Sequence, residues 1–226
     1  MIPLIKPRAY SIASSPNATP NIIDLCVLIE TWWCDEGMKY GLTSDMLRNL
    51  RRGDKVWCRI KPGSMEPPTP EQPVVCAGIG SGLAPHLAFL RDRVCVAEAG
   101  ENIAPFSLYF GNRFKEEEFI YRNELEFLAD KHSSWFSLHT AFSRDNPNKK
   151  VYVQDLIARS DDARQLLLER SDGMLYVCGN RNLPKPLQKS LIVSFSQNSE
   201  NPDDIKLATK AVEDMFVHGR AQQEVW

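Results

Sequence analysis

The sequence predicts an α/β domain, a parallel sheet flanked by helices, preceded by a smaller β-rich segment. Three observations carry this. Short apolar runs, VVCAG, SLYFG, WFSLHTAF and MLYVCG, are each followed by a stretch of helical length, the pattern of parallel strands covered on both faces. The first third instead carries extended β-branched runs with turn residues between them. A proline cluster, GSMEPPTPEQP, can continue neither kind of element and reads as a linker. It places a boundary near Gln72, giving units 1–72 and 73–226.

In chain order, PRAYSIAS reads as an opening strand with Arg8 and Tyr10 on one face and Ser11 following at its end. IIDLCVLIE and DKVWCRIKP read as further strands. TSDMLRNL between them reads as a short helix, with Thr43 or Ser44 as its cap and Asp45 in the first turn, where the helix dipole favours negative charge. Beyond the linker, helices are expected from about Ala84 to Val96, Glu116 to Asp130 and Tyr152 to Glu169, with further helix after MLYVCG.

A length of 226 residues suffices for a sizeable core, and a net charge of −2 argues against a general nucleic-acid binder or a polybasic membrane-surface protein. No apolar run reaches the length of a membrane span, and Met1 to Ser15 lack the apolar centre of a secretory signal. A soluble, cytoplasmic protein is expected. The six cysteines form no CxxC pair and have no histidines in metal-ligand register, so free thiols are expected and no metal site. Most would be small core residues, with Cys178 set apart.

Four local signals carry chemistry. The first is CAGIGSGLAPHLAFLRDR, which runs from strand through a glycine-rich turn into a helix, so that Gly78, Gly80 and Gly82 let backbone amides approach a phosphate. An ordinary strand-to-helix turn also needs glycine, and the third glycine falls earlier than in the Rossmann fingerprint, with no acidic ribose hook downstream. The second is AFSRDNPNKKVYVQDL, where Ser143, Arg144, Lys150, Tyr152 and Gln154 offer hydroxyl, guanidinium, ammonium and ring to one phosphate. Two cations at the carboxyl edge of a parallel sheet suit the 2′-phosphate of NADP better than the free hydroxyl of NAD, although a solvated basic loop reads the same way. Third, LYVCGN puts Cys178 at the carboxyl end of a strand, where ligands of open sheets lie or where a core thiol would sit. Fourth, the terminal EVW either covers something flat and apolar or frays.

With PRAYSIAS, these signals stand in one order that resembles the C-terminal ferredoxin-NADP reductase-like module of the diflavin reductases, the group that includes sulfite reductase flavoprotein and NADPH-cytochrome P450 reductase. The likeness runs through YGLTSDML, PGSMEPPTPEQPVVCAGIGSGLAPHLAF, LYFGNRFKEEEFIYRNELE and FSRDNPNKKVYVQDLI to the closing VW.

The resemblance implies FAD and NADPH as cofactors, and it implies that the β-rich segment is the later part of an antiparallel FAD-binding barrel. Arg8 would pair with the FAD pyrophosphate, Tyr10 pack on the flavin and Ser11 bond near its N5. Gly41, Leu42, Thr43 and Ser44 would bind the pyrophosphate. Gly78, Gly80, Ser81, Gly82 and Pro85 would cradle NADPH, with Arg113 a further phosphate contact. Ser143, Arg144, Lys150, Tyr152 and Gln154 match the 2′-phosphate site, with either Lys149 or Lys150 on the phosphate. Cys178, Ser11 and Glu224 would act during hydride transfer, and Trp226 would stack over the flavin. Departures from the family pattern are Ser81 for threonine, His86 for an apolar residue, Asn180 for aspartate and Glu224 for aspartate.

The earlier part of the barrel does not fit into the seven residues before Arg8, so another polypeptide would complete it or the chain is a shortened product. The implied function is hydride transfer from NADPH to FAD, then electron transfer to an electron-accepting partner protein or an FMN domain on another chain. A truncated NADP(H)-binding module without flavin is the alternative.

Overall fold

The computed structural model describes residues 5–226. Its centre is a five-stranded parallel sheet, β3 (Val74–Ile79), β4 (Phe106–Asn112), β5 (Phe136–Phe142), β6 (Met174–Gly179) and β7 (Ala221–Val225), after an N-terminal hairpin of β1 (Thr31–Cys34) and β2 (Gly37–Tyr40). The sheet order is β5-β4-β3-β6-β7. From β3 the chain first builds outward through β4 and β5, then returns to the other side of β3 for β6 and β7. The order therefore reverses between β3 and β6, the place where open α/β sheets hold ligands beyond their strand carboxyl ends.

Strand alternation divides the core in two. Val75, Ala77, Tyr109, Leu175 and Val177 face one layer, built on α5 (Val153–Ala158), α7 (Pro184–Phe195) and α8 (Pro202–Val217). Cys76, Phe106, Leu108, Phe110, Tyr176 and Cys178 face the other, where α2 (Leu83–Glu98) and α4 (Arg122–Lys131) contribute Leu83, Leu87, Leu90, Leu125 and Leu128. Burial on both faces is why these strands read as nearly continuous apolar runs. Ala13 and Met65, from before the proline cluster, belong to this second core and tie the N-terminal segment to it.

Two expected helices are broken, each for a packing reason. The stretch 116–130 divides into α3 (Lys115–Glu118) and α4 because Phe119 turns inward to pack on Phe110 and Phe142, at ring distances of 5.7 and 5.4 Å, and Tyr121 takes φ +56°. The stretch 152–169 divides into α5, α6 (Asp161–Arg164) and one π-helical turn at Gln165–Glu169. There Ser160 caps α6 through the Ala163 amide and accepts the Tyr109 hydroxyl at 2.6 Å.

The N-terminal third differs most from the sequence-based expectation. PRAYSIAS, IIDLCVLIE and DKVWCRIKP form no strands: the first two pair at one antiparallel bridge, between Ile12 and Leu25, and residues 54–62 are irregular and exposed. A strand requires a hydrogen-bonded neighbour, and here Ser14 and Ser15 satisfy the backbone around them, Ser14 Oγ donating to the Ile22 carbonyl and accepting from the Asp24 amide. The short helix is present as α1 (Leu42–Arg48), but its cap is Gly41, not Thr43 or Ser44. The Ser44 hydroxyl instead donates to the Gly41 carbonyl and accepts from the Glu30 amide. Asp45 does lie in the first turn and pairs with Arg48.

β7 is an element the sequence did not announce. AQQEV joins β6 in parallel register, so EVW is not a frayed end. All six cysteines are free, and of those expected in the core only Cys76 is buried, with Cys178 buried beside it. Among the described residues no helix is long and apolar enough to cross a membrane, and no group of His, Cys, Asp and Glu is arranged to hold a metal ion.

Candidate functional site

The glycine turn lies at the reversal of strand order. β3 ends at Ile79, Gly80–Gly82 form one 3-10 turn, and α2 follows at once. Gly80 has φ +57°, which favours glycine, and its missing side chain leaves open space on that side. Gly82 is required by packing. A Cβ there would stand 2.2 Å from the Cys178 carbonyl oxygen, so the turn lies directly against the end of β6. Among the described residues no side chain caps the start of α2, and its first amides are the positive end of a sixteen-residue helix. An open glycine cradle on an uncapped helix start fits a phosphate group.

His86 is where the turn departs furthest from expectation. It is fully buried in the first turns of α2, its Nε2 3.2 Å from the Ala77 carbonyl and its Nδ1 without a partner among the described residues. A Cβ on Gly78 would touch the imidazole at 2.9 Å, so the ring fills the space under the turn. Burial lowers its pKa to about 4, against the opposing effect of the Ala77 bond, and the ring is neutral at pH 7.

The carboxyl end of β6 collects the second group. Cys178 is opposite Glu224 in the β6–β7 register, so both side chains share a face. Ser11 reaches in from the N-terminal segment and donates to Glu224 Oε2 at 3.5 Å. Burial pushes the Cys178 thiol up to about 12, with the Glu224 carboxylate adding to the rise and a hydrogen bond from Ser11 opposing it. Cys178 is therefore a neutral thiol. Trp226 is anchored at the same end: its amide donates to the Gly179 carbonyl at 3.1 Å and its carbonyl accepts from Arg181 at 3.0 Å, leaving the indole half exposed. Residues separated by 213 positions, Ser11 and Glu224, thus meet beside the glycine turn.

The predicted phosphate loop follows β5. Ser143 and Arg144 are held by backbone bonds to Asn112 and Arg113, and Tyr152, 42% exposed, caps α5 with Gln154 just inside it. Arg144, Lys149 and Lys150 form no ion pair among the described residues, so their charge is available to an anion. Arg113 differs. Its guanidinium is paired with Glu118, and the Glu118 carboxylate also accepts from the amides of Arg113 and Phe114 at 2.9 and 3.2 Å. Pro85 is buried in α2 and Ser81 lies in the turn itself.

The expected flavin residues are less gathered. Arg8 is exposed and donates to the Lys6 carbonyl, Tyr10 is half-buried, and Gly41 to Ser44 open α1 with Leu42 exposed. Only Ser11 of this set joins the rim. Residues that the sequence did not single out include Glu66, whose amide donates to Gln222 at 2.6 Å and whose carbonyl accepts from Tyr176 at 2.8 Å, holding the linker along β7.

The family described as oxidoreductase NAD-binding domain matches residues 74–189, from the first strand of the sheet into α7. The whole chain is 42% identical to part of the mitochondrial pyruvate dehydrogenase [NADP(+)] of Euglena gracilis, covering 12% of that protein. It is 33% identical, again over its whole length, to part of the bifunctional cytochrome P450/NADPH–P450 reductase of Bacillus cereus, covering 21%. Over 77% of its length it is 36% identical to the sulfite reductase [NADPH] flavoprotein component of Saccharomyces cerevisiae, covering 17%. The chain thus spans about a fifth or less of the length of these relatives. It belongs to the oxidoreductase NAD-binding domain family, and the relatives it matches include diflavin reductases of the kind its ordered motifs resemble.

Proposed function

We propose that the chain is the NADPH- and FAD-binding module of a flavoprotein oxidoreductase, moving a hydride from NADPH to FAD for onward transfer of electrons. Residues 1–72 serve the flavin and residues 73–226 the nucleotide. The electrons pass to an FMN domain or an accepting protein on another chain, in the cytoplasm in our reading. The single observation that carries this is the meeting of Ser11, Cys178 and Glu224 at the strand-reversal point, against an uncapped glycine turn. An N-terminal segment built for a second ligand is brought there to the nucleotide rim.

The chemistry supplied by the bound pair is a hydride given up by the nicotinamide and accepted by the flavin; the protein supplies position and electrostatics. In our reading Gly78, Gly80, Ser81, Gly82 and Pro85 shape the turn whose amides bind pyrophosphate. Arg144, one of Lys149 and Lys150, Ser143, Tyr152 and Gln154 select the 2′-phosphate, and Arg113 adds charge if it leaves Glu118. Glu224 would place its carboxylate at the rim, where it would stabilise the positive charge left on a nicotinamide that gives up hydride. Cys178, kept as a thiol, and Ser11 orient that carboxylate. Trp226 would cover the flavin side, and Arg8, Tyr10 and Gly41 to Ser44 would bind the flavin's phosphates and ring.

The reading without flavin has one observation in its favour: Trp33 and Trp57 are exposed in the segment that would hold the flavin, Trp57 completely. Adding FAD to the purified chain and then NADPH without oxygen decides between them. A yellow protein with flavin bands that bleach with NADPH supports hydride transfer. A colourless protein that still binds NADPH supports the second reading, and failure to bind NADPH overturns both.

A further inference from the structure

Between the glycine turn and the N-terminal segment lies a polar network that neither ligand site requires. Arg91, in the middle of α2 and only 17% exposed at its side chain, grips Glu124 of α4 with two parallel bonds, Nε to Oε1 at 2.7 Å and Nη2 to Oε2 at 2.8 Å. Its Nη1 turns to the N-terminal segment, donating to the Ala13 carbonyl at 2.8 Å and to Asp24 Oδ2 at 3.0 Å. The guanidinium also lies over the Tyr121 ring, 5.3 Å from its centre. The next residue, Asp92, accepts from Ser15 Oγ at 2.8 Å and from Asn17 Nδ2 at 2.7 Å. The loop from Ala13 to Asp24 is itself closed by the Ala13 amide donating to the Asp24 carbonyl at 2.9 Å and by the Ile12–Leu25 bridge.

Packing alone does not call for this. Leu87, Leu90, Leu125 and Leu128 already join α2 and α4. The fork of an arginine, bidentate to one carboxylate and still able to reach a carbonyl and a second carboxylate, is suited to fixing three elements in one geometry, which a lysine point charge is not. Ser11 lies two residues before Ala13.

We propose that Arg91 is a positioning residue: by pinning the loop 13–24 onto α2, it sets Ser11 against Cys178 and Glu224 in register with the glycine turn that begins the same helix. One rigid rod then carries both the nucleotide cradle and the anchor of the flavin segment, so the separation of donor and acceptor is fixed by α2. This rests on the reading that the rim holds NADP(H) and flavin.

The test compares the full chain with Arg91→Met and Arg91→Lys. Three quantities are read: amide hydrogen exchange without ligands, NADP+ affinity by calorimetry, and the rate of flavin reduction by NADPH after adding FAD. Expected for Arg91→Met are exchange at the Ala13 amide faster by about tenfold or more with β3 and β6 unchanged, NADP+ affinity within about twofold, and reduction slowed on the order of 10²-fold, as for a displacement near 1 Å. Arg91→Lys falls between. The proposal is overturned if Ala13 exchange is unchanged, or if NADP+ affinity weakens as much as the rate falls, which is what general loosening of the fold produces. Should Arg91→Met fail to fold, Asp24→Asn, which leaves the Arg91–Glu124 pair intact, must show the same separation of rate from affinity, and its absence overturns the proposal equally. If the parent chain neither binds NADP+ nor is reduced, the functional reading falls, while the exchange comparison still decides whether Arg91 pins the loop.

Discussion

Gly82→Ala tests the joint between the glycine turn and β6 at a single atom. The added methyl would lie 2.2 Å from the Cys178 carbonyl oxygen, 2.5 Å from its carbon and 2.8 Å from Gly179 Cα. The first contact is 0.8 Å inside the 3.0 Å that Cβ atoms essentially never cross, and all three neighbours are backbone, so no flexible side chain can yield. Relief requires the turn and the end of β6 to separate. Overpacking of this kind costs about 1–3 kcal/mol, or roughly 2–12 °C in melting temperature for a chain of this size. Because Cys178 moves with that backbone, a displacement near 1 Å lowers flavin reduction by NADPH on the order of 10²-fold. Gly80→Ala is the control. Its Cβ meets nothing within 4 Å, so its cost is confined to the φ +57° conformation, roughly 1–2 kcal/mol, with β6 undisturbed. Differential scanning calorimetry and anaerobic stopped-flow absorbance measure the two effects. If Gly82→Ala melts with the parent and reduces its flavin at the parent rate, the turn does not bear on β6 as described.

Arg144→Ala removes a charged hydrogen-bond donor worth about 1.5–3 kcal/mol, so preference for NADPH over NADH should fall about 10- to 100-fold in steady-state kinetics; unchanged preference refutes the 2′-phosphate assignment. His86 has a folded pKa of about 4 against 6.5 unfolded, so its neutral form stabilises the fold fully above pH 6.5 and that contribution is lost as pH falls toward 4, up to roughly 3 kcal/mol. The gap in urea midpoint between the parent and His86→Phe should therefore shift in favour of the variant between pH 7 and pH 4.5, and a constant gap contradicts the buried neutral ring. Cys34 and Cys58 are exposed, whereas burial raises the Cys178 thiol to about 12, so mass spectrometry after iodoacetamide at pH 8 should find the first two alkylated and Cys178 unmodified.

The parallel sheet was legible because strands covered on both faces need apolar residues at every position, and VVCAG and MLYVCG supply them. β7 was not, because an edge strand needs little apolar surface: in AQQEV only Ala221 is buried, and Gln222 serves the Glu66 amide. The broken helices escaped periodicity for a related reason, since Phe119 leaves the helix to join Phe110 and Phe142, a demand set by strands distant in sequence. PRAYSIAS misled as a strand because alternation describes a face and not a partner; its neighbours turn back at Ser15 instead. Arg113 was legible as a cation near the rim, but its pairing with Glu118 depends on a helix break that no local pattern announced. Arg91 gave no motif at all, because its partners Ala13, Asp24 and Glu124 are brought together only by the fold.

The most direct test of the nucleotide rim is calorimetric titration of the chain with NADP+ and with NAD+ under the same conditions. Binding of NADP+ tighter than NAD+ by about tenfold or more is the predicted result, since in the proposed reading Arg144 with Lys149 or Lys150 would meet only the extra phosphate. Equal affinity for the two, or binding of neither, contradicts it.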